Sequence, residues 1–459
     1  MSGLVMTSRL SSLASSPGSI DDLPLELIRE IFLFSSALKF ERLTDDSPIP
    51  PRFSTTALAL SHVSTHWRFI ALSFPELWAS IAVCCPTEHI VELSKLYLER
   101  SGATAPLDLS LVDVLRGVGP CDDWHAASSR WEVCSLHILR SWIPQAHRWM
   151  GLNLNLRDLG AFRDLLEIPP QSLKNLERAS LDLSHWRNDQ VDRMWDIIHT
   201  SERLREVHWC SPLQTRPPLT SFRHITDLFV WSISFEELSN LPSLTKLAVR
   251  GFKESANVAM VAFPVLESLS MDSLRKDSSW LFDQVTTPNL RQLRFVQSAK
   301  LLDVSALHRF ISRTNCPLQR LHLRFYHSSE ADVLQYMRLA APLLPHLRAL
   351  SLGVDWVTEL TVNALTPRVD NGQAEVFLPL LKALFLFDCR LEDGLIGKML
   401  VARAAVGEQL VTFKARLEDK GRSHSMDEAI LHQSKQSGVL KGLEYLVYEI
   451  GDRRTVCNF

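Results

Sequence analysis

The chain has 459 residues, 46% hydrophobic and 22% charged, the balance of a folded globular protein and not of a disordered one. Its 49 lysines and arginines against 52 aspartates and glutamates give a net charge of −3, so no global field draws it to nucleic acid or to an anionic membrane. Its eight cysteines are scattered apart from the neighbours Cys84 and Cys85, and no Cys-x-x-Cys occurs, which argues against a disulfide framework or a cysteine zinc site and for a reducing intracellular setting, cytoplasmic or nuclear.

The first twenty residues hold seven serines and no unbroken apolar core, and read as a flexible leader without a signal peptide. Asp22 as N-cap, Pro24 in the first turn and Leu27, Ile28, Ile31 and Leu38 at helical spacing predict a helix over about 24 to 37. The prolines and aspartates between Thr44 and Pro51 predict a loop. Two short helices follow over 56 to 71, then Phe74-Pro75-Glu76-Leu77-Trp78. The set Leu23-Pro24-x-Glu26-x-x-x-x-Ile31, Val63-x-x-x-Trp67 and Pro75-x-Leu77-Trp78 resembles an F-box, the three-helix module that docks substrate receptors onto the Skp-type adaptor of cullin ubiquitin ligases; the match covers about residues 21 to 82. The resemblance implies that Leu23, Pro24, Ile28, Ile31, Val63 and Trp67 hold the adaptor. Ser64 stands where the family usually has cysteine, and the loop at about 41 to 53 is longer than in the compact form.

A helix bearing Ile90, Leu93, Leu96 and Tyr97 and a strand at Leu107-Asp108-Leu109-Ser110-Leu111 come next, an arrangement that also resembles the receptors of the large fungal F-box families. Beyond them, apolar-x-x-apolar-x-apolar recurs eight times, at Leu204/Val207/Trp209, Ile225/Leu228/Val230, Leu244/Leu247/Val249, Leu266/Leu269/Met271, Leu290/Leu293/Phe295, Leu318/Leu321/Leu323, Leu347/Leu350/Leu352 and Leu381/Leu384/Leu386. Successive copies lie 19 to 34 residues apart, mostly within the leucine-rich-repeat range, and no single repeat can bury its leucines without neighbours. Helical periodicity at Val191/Met194/Trp195/Ile198, Val304/Leu307/Phe310/Ile311 and Val333/Leu334/Met337 supplies a convex layer. Only the copy ending in Cys389 has the usual Asn or Cys, so the other turns must satisfy their backbone differently. An irregular repeat near Leu410 to Ala415, a last strand at Leu443/Leu446/Tyr448 and a tail from Gly451 complete the reading.

The expected fold is α/β: a leader over 1–20, an all-helical F-box module over 21–82, an irregular solenoid over 83–450 with a parallel sheet on its concave face and helices on its convex one, and a tail over 451–459. His62 and His66, four apart on a helix, lack the glutamate of His-Glu-x-x-His and any third ligand. Gly394-Leu395-Ile396-Gly397-Lys398 has the wrong glycine spacing for a phosphate loop and reads as a helix. No Gly-x-Ser-x-Gly elbow occurs, and no catalytic, metal or cofactor site is expected. If the repeat leucines point inward, period two sends Lys246 and Arg250, Gln292 and Arg294, and Arg320, His322 and Arg324 to the concave face, with Ser268, Ser270 and Asp272 on the strand between. A guanidinium row could grip carboxylate or phosphate, so Arg250, Arg294, Arg320, His322 and Arg324 are the candidate target contacts, flanked by Phe229, Trp231, Phe385, Phe387 and Tyr445. These features imply a substrate receptor that holds the adaptor, and through it a cullin, at one end and a protein target at the other, with no nucleic acid or membrane partner. The alternative is a plain interaction scaffold that binds the adaptor outside a ligase.

Overall fold

The computed structural model describes residues 23–36, 53–112, 124–156, 163–184, 186–210, 223–233, 235–252, 260–274, 279–297, 304–326, 328–370, 373–407, 410–417, 424–440, 443, 445–450 and 453–457. The expected leader and the loop at Thr44 to Pro51 lie outside them. The chain is α/β and divides into two compact units, Met1–Leu176 and Glu177–Phe459.

The first unit opens with helices α1 (Leu25–Ser36), α2 (Thr56–Ser61) and α3 (Thr65–Leu72) and a 3-10 turn, Pro75–Trp78. Helix α1 is amphipathic toward its neighbours through Ile28 and Phe32, which are fully buried, and Phe32 meets the Trp67 ring at 4.9 Å. Ser64 is the N-cap of α3: its hydroxyl accepts the Trp67 N–H at 3.1 Å. Strands β1 (Ser80–Cys84), β2 (Leu107–Val112) and β3 (Trp149–Asn155) then run parallel, with helices α4 (Glu88–Arg100) and α5 (Trp124–Trp142) between them. Aromatic contacts tie these helices to the strands. Tyr97 of α4 packs edge-on against Phe53 at 5.0 Å and Trp78 at 4.9 Å, its hydroxyl accepts the Leu58 N–H, and the Trp78 indole donates to the Ala71 carbonyl at 2.7 Å. Phe53 also bridges the backbone of Val83.

The second unit is a succession of parallel strands in sequence order: β4 (Arg178–Asp182), β5 (Glu206–Trp209), β6 (Asp227–Ile233), β7 (Lys246–Phe252), β8 (Ser268–Leu274), β9 (Gln292–Gln297), β10 (Arg320–Phe325), β11 (Ala349–Val357), β12 (Ala383–Cys389), β13 (Thr412–Leu417) and β14 (Tyr445–Ile450). All eight sequence repeats fall on strands. Their middle residues form one cross-strand ladder, Val207, Leu228, Leu247, Leu269, Leu293, Leu321, Leu350 and Leu384, and each is at most 2% exposed. Where a tail was expected, Arg453–Cys457 forms β15, antiparallel to β14, its successive Thr455, Val456 and Cys457 being residue types that suit a strand.

The backbone at the strand entrances is satisfied by a repeating device. Nine successive carbonyls, of Glu177, Arg205, Thr226, Thr245, Glu267, Arg291, Gln319, Arg348 and Lys382, each accept two consecutive N–H groups of the next repeat at 2.7–3.1 Å. Both lone pairs of each oxygen are thereby used, and no particular side chain is required.

Across the strands lie helices α6 (Asn188–Ile198), α7 (Ser279–Gln284), α8 (Val304–Thr314), α9 (Glu330–Ala340), α10 (Glu359–Leu365), α11 (Leu395–Ala405) and α12 (Ser425–Gln436). Neighbouring helices cap one another. Glu330 accepts the N–H groups of Thr358 and Thr361 at the start of α10, at 2.8 and 3.2 Å, and both hydroxyls. Arg403, wholly buried on α11, donates to the carbonyls of Leu365, Phe377 and Leu378. The Gly394 stretch read as a helix is the start of α11, where Gly394 at φ 90 takes a left-handed conformation that suits glycine.

Leu293→Ala and Leu321→Ala should each cost about 2–5 kcal/mol in denaturant unfolding of the full chain, because each opens a cavity between stacked strands, whereas Ser351→Ala, on the opposite face of the sheet from its leucine neighbours, should cost under about 0.5 kcal/mol. Trp78→Ala should cost about 3–5 kcal/mol and release α1 to α3 from the strands that follow.

Candidate functional site

Two surfaces collect the residues singled out in the sequence. On the first unit, α1 buries Ile28 and Phe32 and leaves Leu27, Ile31 and Phe34 in solvent, Phe34 being 88% exposed. Leu23 and Leu25 before and at its start, Val63 in the turn before α3, and Phe69 and Leu72 on α3 are exposed as well. Surface apolar groups scattered singly are ordinary, and here eight lie on or beside two short helices. Of the six residues expected to touch an adaptor, Leu23, Pro24, Ile31 and Val63 are exposed. Ile28 is 2% exposed and belongs to the core, because α1 turns its 28/32 stripe inward; it cannot be a surface contact. Trp67 is half-buried against Phe32. Phe34 and Phe69 were missed, since helical periodicity assigns apolar residues to the interior by default.

On the second unit the sheet's outward face carries the charged row, in the register expected: Leu321 is 1% exposed while Arg320 on the opposite side stands in solvent. The row is not purely cationic. Arg294 donates from Nε to Asp272 at 2.7 Å and from Nη1 to His322 Nε2 at 3.1 Å. Arg324 reaches across β11 to Asp388 at 2.9 Å, and Arg416 on β13 binds the other oxygen of the same carboxylate. Gly353 on β11 clears that path: a Cβ there would lie 3.0 Å from Arg324 Cγ. Lys246 pairs with Asp227 at 3.2 Å, and His208 approaches the same aspartate. Burial alone would raise the Asp227 carboxyl, but His208 and Lys246 outweigh it and hold it below the ordinary carboxylate value.

His322 is half-buried, and desolvation, with help from the positive charges of Arg294 and Arg324, pushes its pKa down to about 3. It is a neutral ring accepting from Arg294, not a cation. Arg324 further stacks its guanidinium over Tyr326 and Phe387, at 4.9 and 5.5 Å. Arg250 lies over Trp231 at 5.4 Å and, like Arg320, has no carboxylate partner among the described residues. The five candidates are thus divided: Arg294 and His322 are tied to Asp272 and Arg324 to Asp388 in two internal groups, while Arg250 and Arg320 have no carboxylate partner among the described residues. Of the expected exposed aromatics, Phe229 is buried at 6%, because its ring packs beside His208; Trp231, Phe385 and Phe387 are half-buried, and the Tyr445 side chain lies outside the described residues. Asp227 could have been found by extending the period-two rule to β6. Asp388 could not: it sits where the register slips between Leu386 and Cys389, at φ 56, a backbone state that aspartate tolerates better than most residues.

A third group, Asp393, His424 and Asp427, gathers potential metal-ligating atoms within 4.8 Å of one another. Its oxygens are already in use. Asp393 accepts the N–H groups of Met426 and Asp427 at the start of α12, both at 2.9 Å, and buried Asp427 accepts from Gly397 at 2.7 Å and from the His424 ring at 3.1 Å. The arrangement staples α12 to α11. His62 and His66 form no such group, and no helix among the described residues is long and apolar enough to cross a membrane.

His322 gives the charged face a pH signature. The folded chain keeps the ring unprotonated to about pH 3 while the unfolded chain protonates near 6.5, so its contribution is complete above pH 6.5 and is lost as pH falls below it. The slope is at most about 1.4 kcal/mol per pH unit. Melting temperatures of the parent and of His322→Gln, compared from pH 7 to 5, should converge as the pH drops. No protein-family model matches the chain, and no curated protein matches it.

Proposed function

We propose that the chain is the substrate-recognition subunit of a cullin-type ubiquitin ligase, binding a Skp-type adaptor through an F-box formed by α1 to α3 and a protein target through an irregular leucine-rich-repeat solenoid. The observation that carries the reading is the apolar face of α1 and α3, with Leu23, Ile31, Phe34, Val63 and Phe69 in solvent on helices whose sequence resembles that module. An adaptor that covers this face gains the burial that the isolated chain forgoes. The succession of short parallel strands supports the second half of the reading, since such sheets present many side chains on one broad surface. In this reading the chain performs no chemistry and takes no cofactor. It acts by holding target lysines near a charged ubiquitin carrier, raising their effective concentration.

Ile31→Asp combined with Val63→Asp places two charges on the exposed face and leaves the buried Ile28 and Phe32 untouched. In pull-downs with purified Skp-type adaptor, the parent should bind and the double variant should lose about thirtyfold or more, the scale of two anchor positions. A folded double variant that captures the adaptor as well as the parent overturns the assignment. Copurification of a cullin with the parent separates a ligase receptor from a scaffold.

A further inference from the structure

From β9 to β12 the arginines of the sheet's outward face, Arg294 and Arg324, are occupied, whereas the cations at the strand entrances beyond Glu267 are not. Arg291, Gln319, Arg348 and Lys382 are consecutive rungs of the double-acceptor carbonyl ladder, and Arg320 follows Gln319 in the chain. Arg291, Arg320, Arg348 and Lys382 are all exposed, and none has an ion pair or other polar side-chain partner among the described residues. The ladder fixes the spacing of their backbones: at about 4.8 Å per strand, the four positions lie within about 14 Å along the edge. The acid on this ladder nearest to them is Glu267, one rung before Arg291. The contrast with the inner row is chemical: Arg294 is paired with Asp272, and Arg324 and Arg416 share Asp388, so the fold neutralises arginines where it needs none free.

We infer that this rim, Arg291, Arg320, Arg348 and Lys382, is the docking strip for an extended aspartate- and glutamate-rich segment of a partner protein. The inference rests on the receptor reading above for the partner's being a ligase target, but not for the chemistry. Like charges held this close repel one another, and an acidic segment relieves that repulsion while its backbone remains in solvent. About five residues of extended chain span the strip. A nucleic acid fits less well, because its affinity accumulates over many phosphates, and here the cationic run is short and is bounded by Glu267 on the edge and by Asp272 and Asp388 on the face. Arginine at three of the four positions favours forked, bidentate pairing with carboxylates.

The test uses the full chain and a fluorescein-labelled twelve-residue peptide of alternating glutamate and serine, with a glutamine-for-glutamate peptide as its neutral counterpart. Anisotropy should show the acidic peptide binding at least about tenfold more tightly than the neutral one, and weakening several-fold as salt rises from about 50 to 200 mM. Arg320→Glu with Arg348→Glu should lose at least about tenfold, and the milder Arg348→Gln with Lys382→Gln should lose several-fold, both with unchanged melting temperature because the sites are exposed. Arg205→Glu, on the same ladder beside Glu206 and Asp227, should bind like the parent. Equal binding of the neutral peptide, or unchanged binding by the folded double glutamate variant, overturns the inference. So does tighter binding of a twelve-nucleotide oligothymidylate or of phosphatidylserine vesicles, which would assign the strip to nucleic acid or to a membrane. Adaptor capture is scored on the same preparations: its loss with peptide binding retained sinks only the receptor reading, and the reverse sinks only the strip.

Discussion

The register of the second unit from β5 to β13 hangs on the carbonyl at each of these strand entrances that accepts two N–H groups from the next repeat. A parallel ladder with one bond per group could slide by a residue, and such a slip would turn every inward leucine outward. A doubly used acceptor makes the first step of each strand specific, since a displaced strand would leave one N–H unpaired. The interaction belongs to the backbone, which explains how repeats of 19 to 34 residues, with little in common beyond their leucines, stack in one register. It also dispenses with the side chain that the sequence pattern lacks at most turns.

What could be read from the residues, and what could not, follows from the range of the forces involved. Period-two burial is local and strong, so the inward leucines, the strands that carry them and the helices at 188–198, 304–314 and 330–340 were legible. Helix α5 and strand β3 were not anticipated, because Trp142 and Trp149 are buried by neighbours distant in the chain and break no local pattern. Ile28 was misplaced for the opposite reason: α1 is apolar on two sides, and hydrophobicity alone cannot say which side meets the core. The charged face was half legible. Period two put the arginines in the right row, but their carboxylate partners come from other strands, one of them at a register slip, and no spacing rule reaches that far.

Within the first unit, a cluster of aromatic rings joins the opening helices to the helix and strand that follow. Tyr97 is reached from one side by Phe53 and from another by Trp78, while its hydroxyl caps the Leu58 amide and burial pushes its pKa up to about 12. The three rings belong to three segments. Through the Trp78 indole, which donates to the Ala71 carbonyl, these rings join α3 to α4.

Strand β15 carries a consequence for the history of the molecule. By pairing antiparallel with β14, it occupies the amide groups of a parallel edge and leaves as the outermost row a strand that begins with Arg453 and Arg454. Charged residues on a rim strand discourage accretion of further chains. While the sheet is assembled repeat by repeat, however, each strand is in turn the uncovered rim, apolar on one side, until its successor arrives. The interval of greatest exposure to self-association is therefore synthesis itself, and it lasts longest between β2 and β3, whose paired residues Leu109 and Leu152 stand 43 positions apart.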